Sequence, residues 1–240
     1  MSTVLITGGA KRLGKHFAIE FAKKNWNVAF TYNSSVKEAE QTKDEISKFN
    51  KNIFCVKCDI RNKGEIESAF ESVTKNIGCP DVLINNAGVF PPQKKFEEIT
   101  EEFWDEVFAV NLKGALFASQ IFALNAPSGS RIVNIASLGG IEIWKQRTAY
   151  NVSKSALIKL TKAMSRELAP KIAINCVCPG FIEMPEDGKG NAKAIPIEKI
   201  PMARYGTAGD VFDAVYFFAT ASQYITGQTL IVDGGYHNVR

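Results

Sequence analysis

The chain has 240 residues, 45% of them hydrophobic, with 29 basic and 25 acidic side chains and a formal net charge of +4. That size and apolar share suit one large core, so a single domain over residues 1–240 is expected, and the well-mixed charges give no footprint for nucleic acid. No apolar run reads as membrane-spanning and a strand pattern begins within a few residues of Met1, so the expectation is a cytoplasmic chain with no leader.

Residues 3–7 (TVLIT) form a short apolar run rich in β-branched side chains, the pattern of a first strand. Gly8-Gly9-Ala10-Lys11-Arg12-Leu13-Gly14 follows at once, then an amphipathic stretch over about 13–24 with Phe17 and Phe21 at helical spacing. Strand, glycine turn and helix in that order suit a dinucleotide. Glycines let the backbone approach a pyrophosphate, and free N–H groups at the helix start attract its charge. The turn is spaced T-G-x-x-x-R-x-G rather than G-x-G-x-x-G, and its candidates are Gly8, Lys11, Arg12, Leu13 and Gly14.

Further strands are predicted at 27–32, 53–58, 81–85, 131–136, 172–178 and 229–232. Helices are predicted at 36–49, 63–76, 149–168 and 208–220, with one long helix running from about 101 through 124. Regular alternation predicts an α/β protein, a single doubly wound Rossmann domain. Its seven-stranded parallel sheet would carry helices on both faces and ligands at the carboxyl ends of the strands.

Cys55 and Cys58 form a C-x-x-C, but an odd separation within a strand sends them to opposite faces. Cys176 and Cys178 flank Val177, and Cys79 stands alone. With only His16 and His237 beside them there is no sensibly spaced four-ligand zinc set, so free thiols and no metal are expected.

In residues 148–154 (TAYNVSK), Tyr150 and Lys154 share a helix face about one turn apart. A cation beside a phenol stabilises the phenolate. Two unit charges ~4 Å apart at an effective dielectric of ~20 interact by about 4 kcal/mol. That would carry a tyrosine from about 10 towards about 7, where it exchanges a proton at neutral pH.

The predicted strand ends carry Asp59-Ile60, Asn85-Asn86-Ala87-Gly88, Asn134-Ile135-Ala136-Ser137 and Pro179-Gly180, and Asn111 lies inside the long helix. With the turn, the Tyr150–Lys154 pair and the closing stretch 224–235, the chain resembles the short-chain dehydrogenase/reductase family over essentially its whole length. The resemblance implies a catalytic set of Asn111, Ser137, Tyr150 and Lys154. Tyr150 would protonate the substrate oxygen or nitrogen, and Ser137 would hold the same atom. Lys154 would lower the tyrosine pKa and bind the nicotinamide ribose, and Asn111 would place a water linking Lys154 to solvent. The resemblance also implies Asp59 on the adenine, with Asn86, Ala87 and Gly88 on the adenosine side. Ile60, Pro179, Gly180 and Ile182 would complete the cofactor cleft. A homotetramer is implied, with the long helix and the Tyr150 helix at a dimer interface.

Dinucleotide sites selective for NAD place a carboxylate after strand two. Here that place reads Thr31-Tyr32-Asn33-Ser34-Ser35, with Lys11, Arg12 and Lys37 nearby. Hydroxyls, an amide and a guanidinium suit a 2′-phosphate, so NADP(H) is the expected cofactor.

Arg12 within the glycine turn, Phe90 after Asn85-Asn86-Ala87-Gly88-Val89, and the ending Val232-Asp233-Gly234-Gly235-Tyr236 look like the pteridine reductases. That likeness implies NADPH-dependent hydride transfer to a C=O or C=N group of a small substrate, with Phe90 and Phe181 as substrate contacts. Ser137 departs from it: those enzymes commonly carry Asp there, and a hydroxyl suits an ordinary ketone. One alternative is a 3-oxoacyl-carrier-protein reductase, which would need a basic patch near the mouth; Lys94, Lys95, Lys145 and Arg147 are the candidates. Another is a non-catalytic NADP(H)-binding regulator, a class that typically loses the tyrosine or lysine kept here. Residues 181–203 are expected to form a lid over the substrate, mixing Phe181, Ile182, Met184, Ile195 and Ile197 with Glu183, Glu186 and Asp187.

Overall fold

Strands apolar on both faces, separated by amphipathic helices, bury themselves as a parallel sheet with a helical layer on each side. The computed structural model describes residues 1–184 and 195–239 and shows that arrangement. Strands β1 (Thr3–Ile6), β2 (Asn27–Tyr32), β3 (Ile53–Lys57), β4 (Val82–Asn85), β5 (Ser130–Ile135), β6 (Ile172–Pro179) and β7 (Thr229–Val232) form one sheet. All pairs are parallel, in the order β3-β2-β1-β4-β5-β6-β7. The order reverses between β1 and β4, and the crevice at their carboxyl ends is where such sheets bind ligands.

The helices are α1 (Arg12–Lys23), α2 (Val36–Ser47), α3 (Lys63–Ile77), α4 (Glu101–Phe108), α5 (Gly114–Asn125), α6 (Thr148–Leu168) and α7 (Ala208–Thr220). Strand residues alternate between two core layers. Val4, Ile6 and Phe30 pack with Phe17, Phe21 and Phe212 from α1 and α7. Leu5, Ile132 and Ile174 pack with Phe70 and Phe122 from α3 and α5. Cys55 and Cys58 fall on opposite layers as their spacing requires, and all five thiols are free, Cys55 and Cys79 only half-buried.

The long helix differs from its expected form. A π-helical turn, Ala109–Lys113, separates α4 from α5. Just after it, Gly114 presses on the β3–α3 connection: a Cβ there would sit 2.6 Å from Ile60 Cγ1 and 2.8 Å from the Ile60 carbonyl oxygen. The wide turn carries Asn111 inward, the usual consequence of one extra residue in a helix. The rod Glu101–Asn125 is also long and apolar enough to span a membrane by length and composition, contrary to the expectation. Close to half of that stretch is buried in the fold, with Ala118, Ile121 and Phe122 in the second core layer.

Of the expected lid, residues 185–194, including Glu186 and Asp187, lie outside the described residues. Its flanks are tied to the body. Ile182 bridges to Gly206, the Glu183 amide donates to the Gly206 carbonyl at 2.8 Å, and Met184 and Ile200 are buried.

Candidate active site

The glycine turn is locked to the ends of β2 and β4. The Gly8 amide donates to Thr31 Oγ1 (3.2 Å) and the Gly9 amide to the Thr31 carbonyl (2.9 Å). Asn86 Nδ2 donates to the carbonyls of Thr7 (3.0 Å) and Gly8 (2.9 Å), while Thr7 Oγ1 accepts from the amides of Asn86 and Ala87. Gly14 is required by contact, since a Cβ there would lie 2.2 Å from the Gly8 carbonyl oxygen and 2.6 Å from Asn86 Nδ2. Gly8 and Arg12 hold φ of +66° and +55°; for the arginine that left-handed backbone costs roughly 1–2 kcal/mol.

Above the turn a cleft of about 980 Å³ runs along the carboxyl edge of the sheet. One half gathers Gly8, Lys11, Arg12, Leu13 and Gly14 with Tyr32, Asn33, Ser34, Asp59, Ile60, Asn86, Ala87 and Gly88; Pro179, Gly180 and Ile182 line it further along. The donor set fits a dinucleotide. Lys11, the α1 N-cap, makes no side-chain capping bond and the first turn has no acidic residue, which leaves the helix start open to an anion. Asp59 lines the cleft, but its carboxylate is already held by Arg61, with Nε–Oδ1 at 2.9 Å, and lies below the usual carboxylate range through that hydrogen bond. Arg61 in turn reaches Glu106 at 2.8 Å. An adenine at Asp59 would therefore compete with Arg61.

Ser137, Tyr150 and Lys154 meet in the middle of the cleft. Ser137 follows β5 and caps the short turn Leu138–Gly140, its Oγ accepting from the Gly139 amide (3.1 Å), and it lies near enough to Tyr150 to favour the ionised phenol. Lys154 Nζ donates to the Ile135 carbonyl at 2.9 Å. Burial decides both titrations against the sequence expectation. Desolvation pushes Tyr150 up to about 12, opposed by neighbouring Ser137 and by the charges of Arg147 and Arg12. Lys154 is pushed down to about 8 by burial, while the thiols of Cys176 and Cys178 pull the other way. At each group desolvation outweighs the neighbours that favour its charged form.

Asn111 does not line the cleft. It sits one layer behind, its Oδ1 accepting from the Val89 amide (2.8 Å) and its Nδ2 donating to the Val89 carbonyl and Ser153 Oγ (both 3.1 Å). Its contact with the site is through Gly88, where an added Cβ would find Asn111 Oδ1 at 3.3 Å and Lys154 Nζ at 3.4 Å.

The other half of the cleft is aromatic. Phe90 stands edge-on to Tyr150 with centroids 4.7 Å apart; Trp144 stacks on Phe181 at 5.8 Å, and Phe181 meets Tyr236 edge-on at 5.2 Å. Phe90 and Phe181 were expected here. Trp144 was not, and Tyr236 stood out only as part of the ending. Both lie in irregular segments with no period to mark a face, and only an aromatic in a loop beside a catalytic motif hints at them. Of the four candidate cations, Lys145 and Arg147 line the cleft. Lys94 instead covers the Phe103 ring and Lys95 pairs with Glu98, so the four form no single patch.

A family model described as enoyl-(acyl carrier protein) reductase matches residues 8–237. A 3-oxoacyl-(acyl-carrier-protein) reductase of Staphylococcus aureus is 33% identical over 240 residues, covering 97% of each chain. Among solved structures, a short-chain dehydrogenase/reductase from Serratia marcescens superposes with a TM-score of 0.91 at 30% identity, over 98% of this chain and 97% of that one. A blue fluorescent protein from a metagenomic library, solved in complex with NADPH, gives 0.90 at 29% identity over 98% and 97%. Fold, matched length and the order of the strand-end motifs agree: the chain belongs to the short-chain dehydrogenase/reductase family and is an oxidoreductase.

Proposed function

We propose that the protein is an NADPH-dependent reductase of a small carbonyl compound, with a substrate half of pteridine-reductase-like shape. The observation that carries this reading is the pair of hydroxyl side chains, Ser137 and Tyr150, lining one aromatic-walled cleft. Bound NADPH supplies the hydride. Lys11, Arg12 and Ser34 would hold its 2′-phosphate, since the end of β2 has cations and a hydroxyl in reach and no carboxylate to repel it. Ser137 donates a hydrogen bond to the carbonyl oxygen, and Tyr150, neutral by burial, delivers the proton as negative charge develops there. Lys154 binds the ribose side and restores the proton; Asn111 acts from behind by fixing the Val89 backbone against the site.

A second reading is favoured by the Staphylococcus aureus relative: reduction of a 3-oxoacyl thioester. The test is oxidation of NADPH and of NADH against a simple diketone, a dihydropterin and an acetoacetyl thioester, with the Tyr150→Phe variant as control. Diketone turnover with NADPH at least about tenfold above NADH, lost in Tyr150→Phe, is the expected result. No turnover on any of them would sink the first reading; thioester turnover far above the others would move the assignment to the second.

A further inference from the structure

Two cations beside the aromatic half of the cleft have no function in the scheme above: Lys145, which is exposed, and Arg147. Arg147 directly precedes α6, three residues before Tyr150, and is half-buried in the cleft wall. Its guanidinium lies over the Phe90 ring, 4.1 Å from the centroid, and Nη1 donates to the Pro91 carbonyl. Those two contacts fix the plane of the fork while leaving donors on Nε and Nη2. Among the described residues no carboxylate pairs with it; the groups that act on it are its own desolvation and the Tyr150 hydroxyl. A cation taken partly out of water without an anion is costly, and a rigid planar fork matches a carboxylate better than any other common anion.

Resting on the carbonyl-reductase reading, we propose that Arg147 anchors a carboxylate on the substrate, so that the enzyme reduces short oxo acids rather than neutral ketones. The reach is set by the rings. Phe90 touches both Tyr150 and the guanidinium, so the anion sits about one aromatic ring from the proton donor. That places the carboxylate only a few bonds from the carbonyl. A phosphate at the far end of a long thioester arm would be too distant. In the reaction the carbonyl carbon accepts hydride, with its two electrons, from NADPH. The carbonyl oxygen accepts a proton from Tyr150, Lys154 restores it and is itself reprotonated from solvent, and the products are NADP⁺ and a hydroxy acid. Met184 and Ile195, with the aromatic rings, add apolar wall that suits a short hydrocarbon spacer.

The experiment compares pyruvate, acetoacetate and levulinate with their methyl esters, by kcat/KM and by calorimetric binding to the protein–NADP⁺ complex. One acid should exceed its ester by roughly thirty-fold in kcat/KM, the size expected of a charge-assisted bidentate contact. In Arg147→Met, which keeps a stem to cover Phe90, the acid-to-ester ratio should fall to within about threefold of one. Arg147→Lys should recover only part of it, because a point charge replaces the fork. Esters matching or exceeding the acids in the wild type, or a ratio unchanged in Arg147→Met, would overturn the proposal while leaving carbonyl reduction intact. If no carbonyl of either kind is turned over, the reductase reading fails and calorimetry still decides the anchor. Carboxylate binding that is lost in Arg147→Met supports it; equal binding of acid and ester refutes it.

Discussion

Lys154 holds its ammonium where water does not reach, donating to the Ile135 carbonyl beneath α6. Its pKa falls from 10.5 in the unfolded chain to about 8 in the fold, through burial. Between those two values the unfolded chain binds the extra proton, so stability rises with pH across that window. Tyr150 runs the other way: raised from 10 to about 12, it makes the folded state the better proton binder there, and stability declines as pH climbs from 10 to 12. The cofactor-free protein should gain up to about 3 kcal/mol from Lys154 as pH rises from 8 to 10. Lys154→Met should remove that gain, as measured by urea unfolding of both proteins at each pH; parallel wild-type and variant curves would show that the lysine is not the titrating group. The residues themselves were legible: Ser137, Tyr150 and Lys154 do converge. Their titration was not, because spacing along a helix reports which face a side chain shares and says nothing of how dry that face is.

At the scale of elements, the β1–α1 turn and the end of β4 behave as one piece, with Gly14 as the point of closest approach. Gly14→Ala should cost at least about 2 kcal/mol, because the atoms a Cβ would strike are a backbone carbonyl and an amide that is itself holding two carbonyls. Gly64 in the first turn of α3 is the control. Its Cβ would meet only Asn62 Oδ1 at 3.4 Å, and Gly64→Ala should be neutral or stabilising by about 0.5 kcal/mol. Thermal unfolding of the two variants reads the difference directly, and equal melting temperatures would remove the contact argument. Element bounds could be read from the sequence to within a residue or two, since short apolar strand runs alternate regularly with longer helical stretches. The π turn at Ala109–Lys113 could not. It lies beside a close approach of Gly114 to Ile60, more than fifty positions away in the chain, and such a contact leaves no mark in the local pattern.

At the scale of the whole molecule, one sheet explains why residues scattered from Gly8 to Tyr236 share a cleft, since every parallel strand delivers its carboxyl end to the same edge. The opposite problem is apolar surface left outside. Leu124 at the end of α5, Val152 on α6 and Phe217 on α7 are all exposed, at 81%, 43% and 48%. They stand one to a helix, and singly none of them demands a partner. We propose the homotetramer that the family resemblance implies, with α4, α5 and α6 at one of its interfaces. Light scattering at micromolar concentration should give a mass near four protomers of 26.4 kDa; a single-protomer mass would reject it.

The two halves of the cleft are built from different material, and this sets how the protein can change. The dinucleotide half is mostly backbone, held by amides, carbonyls and glycines that leave no room for a new atom. The substrate half is made of side chains on irregular segments, Phe90 and Trp144 among them, with Phe90 55% exposed. Replacing such a side chain alters what the pocket accepts at little cost to folding, whereas replacing a turn glycine alters everything at once. Divergence from a common ancestor therefore has one inexpensive direction: new substrates on an inherited hydride source.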